Sequence, residues 1–173
     1  METKKKWNVS NMKSKIIEES IKSLQAEGLR FSVDTLAERM KISKKTVYKY
    51  FSTKEALAYA IYEKFYTDLK GEIEKIIQAG TPKIAEELLL RYFSSAKMVR
   101  KEIFNKYCLN NKIGDFAVQG HLDVWDTIKP YVCGSMNDDE AGMYQLIIDG
   151  AFDKAIACSA NSAIIVRMLR QIK

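Results

Sequence analysis

SVDTLAERMKISKKTVYKYFSTKE, residues 32–55, is the stretch that decides the fold. Ser32 is a good N-cap for a short helix whose apolar residues Val33, Leu36, Ala37 and Met40 fall at helical spacing. Only Lys41 and Ile42 separate it from a second helix starting at Ser43, so the two must cross steeply. Ala37 is small enough to let Val47 and Ile42 pack close. In the second helix Val47 and Phe51, four apart, face inward, leaving Lys44, Lys45, Thr46, Tyr48, Lys49 and Tyr50 outward. This is a helix-turn-helix pattern.

The outward side is a row of donors. Lysine ammoniums neutralise phosphates, threonine and tyrosine hydroxyls hydrogen-bond phosphate oxygens, and a major groove is wide enough to accept a helix. Ser52 with Glu55 three positions on forms a capping box that starts a further helix at Thr53. Lys54 then stands at a helix N-terminus, where the dipole and free N–H groups favour a phosphate. Short lysine-rich helices also serve as plain solvated faces, and on charge alone the two readings stand level. The order of residues separates them.

From Leu36 to Leu57 the chain reads LAERMKISKKTVYKYFSTKEAL, and Leu36, Ala37, Ile42, Ser43, Thr46, Tyr48, Lys49, Tyr50, Phe51, Lys54 and Glu55 fall in a characteristic order. The segment resembles the DNA-binding domain of the tetracycline-repressor (TetR) family of bacterial transcription regulators. Two positions depart from the family pattern. Lys41 stands where the turn usually has glycine; a lysine at positive φ costs about 1 kcal/mol, so a differently shaped turn is expected. Lys45 replaces a small residue near the groove floor, where it can reach either a guanine edge or a phosphate.

The resemblance implies a DNA-binding set of Ser43, Lys44, Lys45, Thr46, Tyr48, Lys49, Tyr50 and Lys54. Thr46, Tyr48 and Lys54 are expected to clamp phosphates; Lys45, Lys49 and Tyr50 are expected nearer the base edges. It further implies a homodimer on a palindromic double-stranded operator, repression by occluding a promoter, and a body cavity whose small-molecule ligand releases the DNA. The competing reading is a helical adaptor or coactivator of the same shape acting on another protein; such a protein would be expected to lose the donors that Thr46, Tyr48, Lys49 and Lys54 supply here.

Charge is distributed to match. The 173 residues carry a net +6, and residues 1–66 hold fourteen Lys/Arg against eight Asp/Glu, so the whole excess lies there. Residues 67–173 hold fourteen of each. A basic head on a neutral body is the electrostatic footprint of a nucleic-acid-binding module. The expected division is residues 1–66 as the DNA-binding head and 67–173 as an effector-binding and dimerisation body. With two prolines and eight glycines, long helices are permitted almost throughout, and the expected class is all-α.

There is no apolar run of 18 residues, and METKKKWNVS lacks the apolar core of a signal peptide, so a cytoplasmic protein without a membrane span is expected. Cys108, Cys133 and Cys158 are widely spaced and His121 is the sole histidine, which argues against a zinc site, a disulfide framework or a bound metal. No Walker loop, G-x-G-x-x-G, H-E-x-x-H or G-x-S-x-G occurs. Neither catalysis nor a cofactor is expected. Asp138, Asp139 and Glu140 fit a helix N-terminus, where negative charge is favourable.

Along the chain, Lys4, Lys5, Lys6 and Trp7 form a basic arm, either laid on DNA or disordered. A first helix from about Ser10 ends at Gly28, with Leu29 and Phe31 closing its packing. The helix from Thr53 runs on to about Ala79 and links head to body. Gly80, Thr81 and Pro82 break the chain, Pro82 suiting the first turn of a helix reaching roughly Cys108. Asn110 to Gly114 reads as a loop, Asp115 to Lys129 as a helix ended by Pro130, and 138–173 as two helices with a bend near Ser159 to Ser162. Their small residues, among them Gly142, Gly150, Ala151 and Ala155, suit close helix packing, either within the chain or, as the resemblance implies, across a dimer through these last two helices. Candidate ligand contacts are Tyr92, Phe93, Tyr107, Phe116, His121, Trp125 and Tyr144, aromatic or polar groups on apolar faces that serve equally as plain core. A ligand for them would be small and apolar or aromatic.

Overall fold

A computed structural model describes residues 9–27, 32–98, 111–158 and 161–172. Its helices are α1 (Val9–Glu27), α2 (Val33–Arg39), α3 (Lys44–Tyr50), α4 (Lys54–Ala79), α5 (Ile84–Ser94) followed by a 3-10 turn (Ser95–Met98), α6 (Asn111–Cys133), α7 (Asp138–Cys158) and α8 (Ser162–Ile172). The described residues form an all-α fold with no strand among them.

Local chemistry sets the ends. Ser32 and Ser43 cap α2 and α3, their Oγ atoms accepting from the N–H groups of Thr35 and Thr46 at 3.1 and 3.0 Å. The cap of α4 is Thr53, which accepts from the Ala56 N–H at 3.1 Å, and not Ser52, so the expected Ser52–Glu55 box does not form. Gly80 closes α4 in the left-handed region (φ 58), where its missing Cβ removes the steric cost. Pro82 lies in the turn ahead of α5, whose N-cap is Lys83, so it precedes the helix instead of sitting in its first turn.

Three further expectations are corrected. Helix α5 ends at Ser94 and tightens into the 3-10 turn; the expected continuation through Tyr107 and Cys108 lies outside the described residues. Helix α6 begins at Asn111, within the expected loop, and passes Pro130 to reach Cys133. Proline deprives one carbonyl of its donor. It sits in the last turn, where buried Ile128, Val132 and Cys133 hold the chain against the core by packing. The expected close of α1 by Gly28, Leu29 and Phe31 and the basic arm of residues 4–7 also lie outside the described residues, as does the side chain of Cys158.

One core runs through the chain. Ile16 of α1, Leu36 and Ala37 of α2, Val47 and Phe51 around α3 and Leu57, Ile61 and Phe65 of α4 fill the head. Burying a side chain such as Val47 or Phe51 contributes about 1.5–3 kcal/mol. Helix α4 passes residue 66, the expected division between head and body, without a break, and its Tyr66, Leu69 and Ile73 are as buried as its head residues. In the body α5 packs against α4, α6 and α8, while the 3-10 turn touches both α1 and α7. Ion pairs from Lys70 to Asp123 (2.8 Å) and from Arg91 to Glu72 join α4 to α6 and α5. Gly120 lets α6 approach α4 closely: a Cβ there would stand 2.6 Å from the ring of Tyr66.

Candidate nucleic-acid interface

The turn between α2 and α3 is built by backbone bonds: the Lys41 N–H donates to Glu38 O and the Ile42 N–H to Ala37 O, both at 3.0 Å. Lys41 takes φ 53, so the chain adopts the left-handed turn with a lysine in it, and the expected change of turn shape does not occur. Ile42 is half-buried against the core, and Ala37 and Val47 are buried. The motif is therefore fixed from inside, and α3 is held with one side outward.

On that side Lys45 and Lys49, one turn apart, are exposed and make no ion pair among the described residues. Lys44 is also exposed, but Asp34 of α2 holds its ammonium at 2.9 Å, and that carboxylate raises the Lys44 pKa above the ordinary lysine value. The remaining donors are less open than the sequence pattern implies. Tyr48 and Tyr50 are half-buried with their rings packed on the core, and Thr46 is half-buried. Ser43 Oγ, which caps α3, also lies 2.8 Å from Thr46 Oγ1, so the two hydroxyls are paired with each other. Lys54 is exposed at the first residue of α4. Beside it the Glu55 carboxyl is held below its usual range, first by its own backbone N–H and then by the Thr53 hydroxyl. Across the inner edge Lys13 of α1 lies over the Phe51 ring at 5.6 Å, a cation–π contact that ties α1 to the end of α3.

Of the expected DNA-binding residues, Ser43 caps α3, Lys44, Lys45, Thr46, Tyr48, Lys49 and Tyr50 lie along it, and Lys54 opens α4 beyond its end. Asp34 was not among them. Its signal was only an acidic residue in the first turn of α2, and residues ten apart meet only once the turn is built.

Residues 16–61, the segment just described from α1 into α4, match the model of the bacterial regulatory proteins of the tetR family. In this segment the chain is similar to the TetR family. It is also 25% identical over 121 residues to a Bacillus subtilis (strain 168) protein named as the HTH-type transcriptional regulator YvaF; the match covers 70% of this chain and 60% of that relative's length. No solved structure matches the chain significantly.

The body candidates among the described residues lie in three places. Tyr92, Phe93, His121 and Trp125 meet with Phe152, a residue that the sequence pattern did not single out as a ligand contact. Tyr92 Oη and His121 Nε2 are 2.7 Å apart with their rings stacked at 4.7 Å, Trp125 lies 5.4 Å from Tyr92, and Phe152 stands 4.2 Å from His121. Phe93 packs edge-on to Tyr92 at 5.6 Å. Burial drives the His121 pKa down to about 4 against a weaker opposing pull from Asp153, so the imidazole is neutral near pH 7. The buried polar atoms Tyr66 Oη, His121 Nδ1 and Trp125 Nε1 have no hydrogen-bond partner among the described residues. Tyr144 is not part of this group: it is buried and its hydroxyl donates to the Leu169 carbonyl at 3.4 Å, between α7 and α8. Phe116 stacks on Tyr59 at 4.5 Å instead. Tyr107 lies outside the described residues. Among the described residues no cluster suited to a metal occurs, and no helix is long and apolar enough to cross a membrane.

Proposed function

We infer that this protein is a DNA-binding transcriptional regulator of the TetR type, a repressor that docks a head of residues 1–66 on a palindromic operator through α3 and is released by a small molecule bound in the body of residues 67–173. The observation that carries the docking is the exposure of Lys45 and Lys49 on the outward side of an α3 fixed from inside by Val47 and Phe51. Lys45 and Lys49 reach base edges, while Tyr48, Thr46, Lys44 and Lys54 hold phosphates. Half-buried rings suit Tyr48 and Tyr50 to this, because packing fixes the ring and leaves the phenol oxygen as a preset donor. Truncating Tyr48 to Ala and Lys54 to Met weakens binding to all sequences alike, and loss of the Lys54 cation lowers the salt slope by about 1. Salt titrations of both variants test this; unchanged binding by both would remove the docking.

A two-fold pair is supported by an apolar stripe on α8, where Ile164, Met168 and Ile172 lie four apart and exposed, and by exposed Met143, Leu146 and Ile147 on α7. Pairing of these helices across two chains would double the groove contacts that one seven-residue helix makes. For the effector, the three buried atoms Tyr66 Oη, His121 Nδ1 and Trp125 Nε1, without a hydrogen-bond partner among the described residues, support a small, flat, largely apolar ligand that carries a hydrogen-bonding group. With His121 neutral, nothing in that group favours an anion. Such a ligand would press on Tyr66 of α4, the helix that starts at the DNA face.

A further inference from the structure

The donor row carries one negative neighbour. Asp34, in the first turn of α2, holds Lys44 Nζ with both carboxylate oxygens, Oδ1 at 2.9 Å and Oδ2 at 3.0 Å. Both side chains are open to solvent, 64% for Asp34 and 48% for Lys44, and an ion pair so exposed adds little to folding. Its larger effect is on what else the lysine can bind. A backbone phosphate needs the same ammonium, and a carboxylate at this range lies well inside the screening length of about 8–10 Å at ordinary salt, so its repulsion reaches any phosphate that Lys44 reaches. Lys45 and Lys49 have no such competitor among the described residues.

We propose that Asp34 is an internal competitor for Lys44: it holds the ammonium in the unbound protein and yields it to a backbone phosphate on docking, so that it limits the grip of the head on DNA of any sequence. This rests on the docking described above. Phosphate contacts carry no sequence information, so Asp34 weakens specific and non-specific binding alike. Lower non-specific occupancy leaves more of the regulator unbound and available among the many competing sites.

The test uses the full chain, a mixed-sequence duplex of about 25 bp and a titration between about 50 and 200 mM salt. The proteins are wild type, Asp34→Asn, Lys44→Met and the double variant, with thermal melts to show that each is folded; Asp34→Ser serves as a second replacement, since loss of the acid also removes a favourable charge from the first turn of α2. Asp34→Asn and Asp34→Ser bind several-fold more tightly than wild type, Lys44→Met binds more weakly with a salt slope lower by about 1, and the gain from Asp34→Asn vanishes in the Lys44→Met background. An equal gain in that background would overturn the proposal, because Asp34 would then act on DNA directly. A loss of affinity in Asp34→Asn would overturn it too, because the pair would then be positioning Lys44. Failure of every protein to bind at low salt would instead remove the docking itself.

Discussion

At the scale of the residue, Lys41 shows a cost the chain bears for its motif. Sequence alone marks it as a lysine in a glycine's place, and the expected remedy was a different turn. The structure keeps the left-handed turn (φ 53), because the buried Leu36, Ala37 and Val47 around it hold the helix crossing more strongly than one residue's strain opposes it. Lys41→Gly should therefore stabilise the protein by about 1 kcal/mol, read from the midpoint of chemical denaturation. An unchanged or lower midpoint would contradict the left-handed conformation. The Ser32 cap was legible because its partner lies three residues away in sequence. The grip of Asp34 on Lys44 and the meeting of Tyr66 with Gly120 were not, because those contacts exist only after helices from distant parts of the chain have packed.

At the scale of the element, long helices with regular apolar spacing were legible and their ends were less so. Helix α4 was expected from Thr53 to about Ala79 and spans Lys54–Ala79. Its start turned on which of two adjacent hydroxyls caps it, a choice the S-x-x-E pattern made wrongly. Thr53→Ala should cost about 1 kcal/mol of stability, whereas Ser52→Ala, which removes no cap, should stay within a few tenths. Thermal melts of the two variants compare them directly, and equal losses would restore the Ser52 box. Pro130 misled for a related reason: a proline ends a helix only where packing does not carry the chain past it. In α6 buried Ile128, Val132 and Cys133 outlast the missing bond for one more turn.

At the scale of the whole molecule, charge asymmetry marked the basic head before any helix was placed, and the helix-turn-helix spacing supplied its geometry. The body was legible only as helices. Its aromatic residues all satisfied the same pattern, and only packing separates Tyr92, His121 and Trp125, which share one cluster, from Tyr144, which bonds to α8. The proposed two-fold assembly belongs to this scale. Replacing exposed Leu146 and Met168 together by Glu should convert a dimer to a monomer in sedimentation and should weaken operator binding, while leaving the helical signal intact; an unchanged mass would place the contact elsewhere. The most direct test of the central claim is selection of duplexes with random centres by the purified protein at about 0.15 M salt, where non-specific binding is weak. Docking of paired α3 helices predicts enrichment of an inverted repeat whose half-sites lie one helical turn apart, or a multiple of it. A folded dimer that enriches no sequence would contradict it.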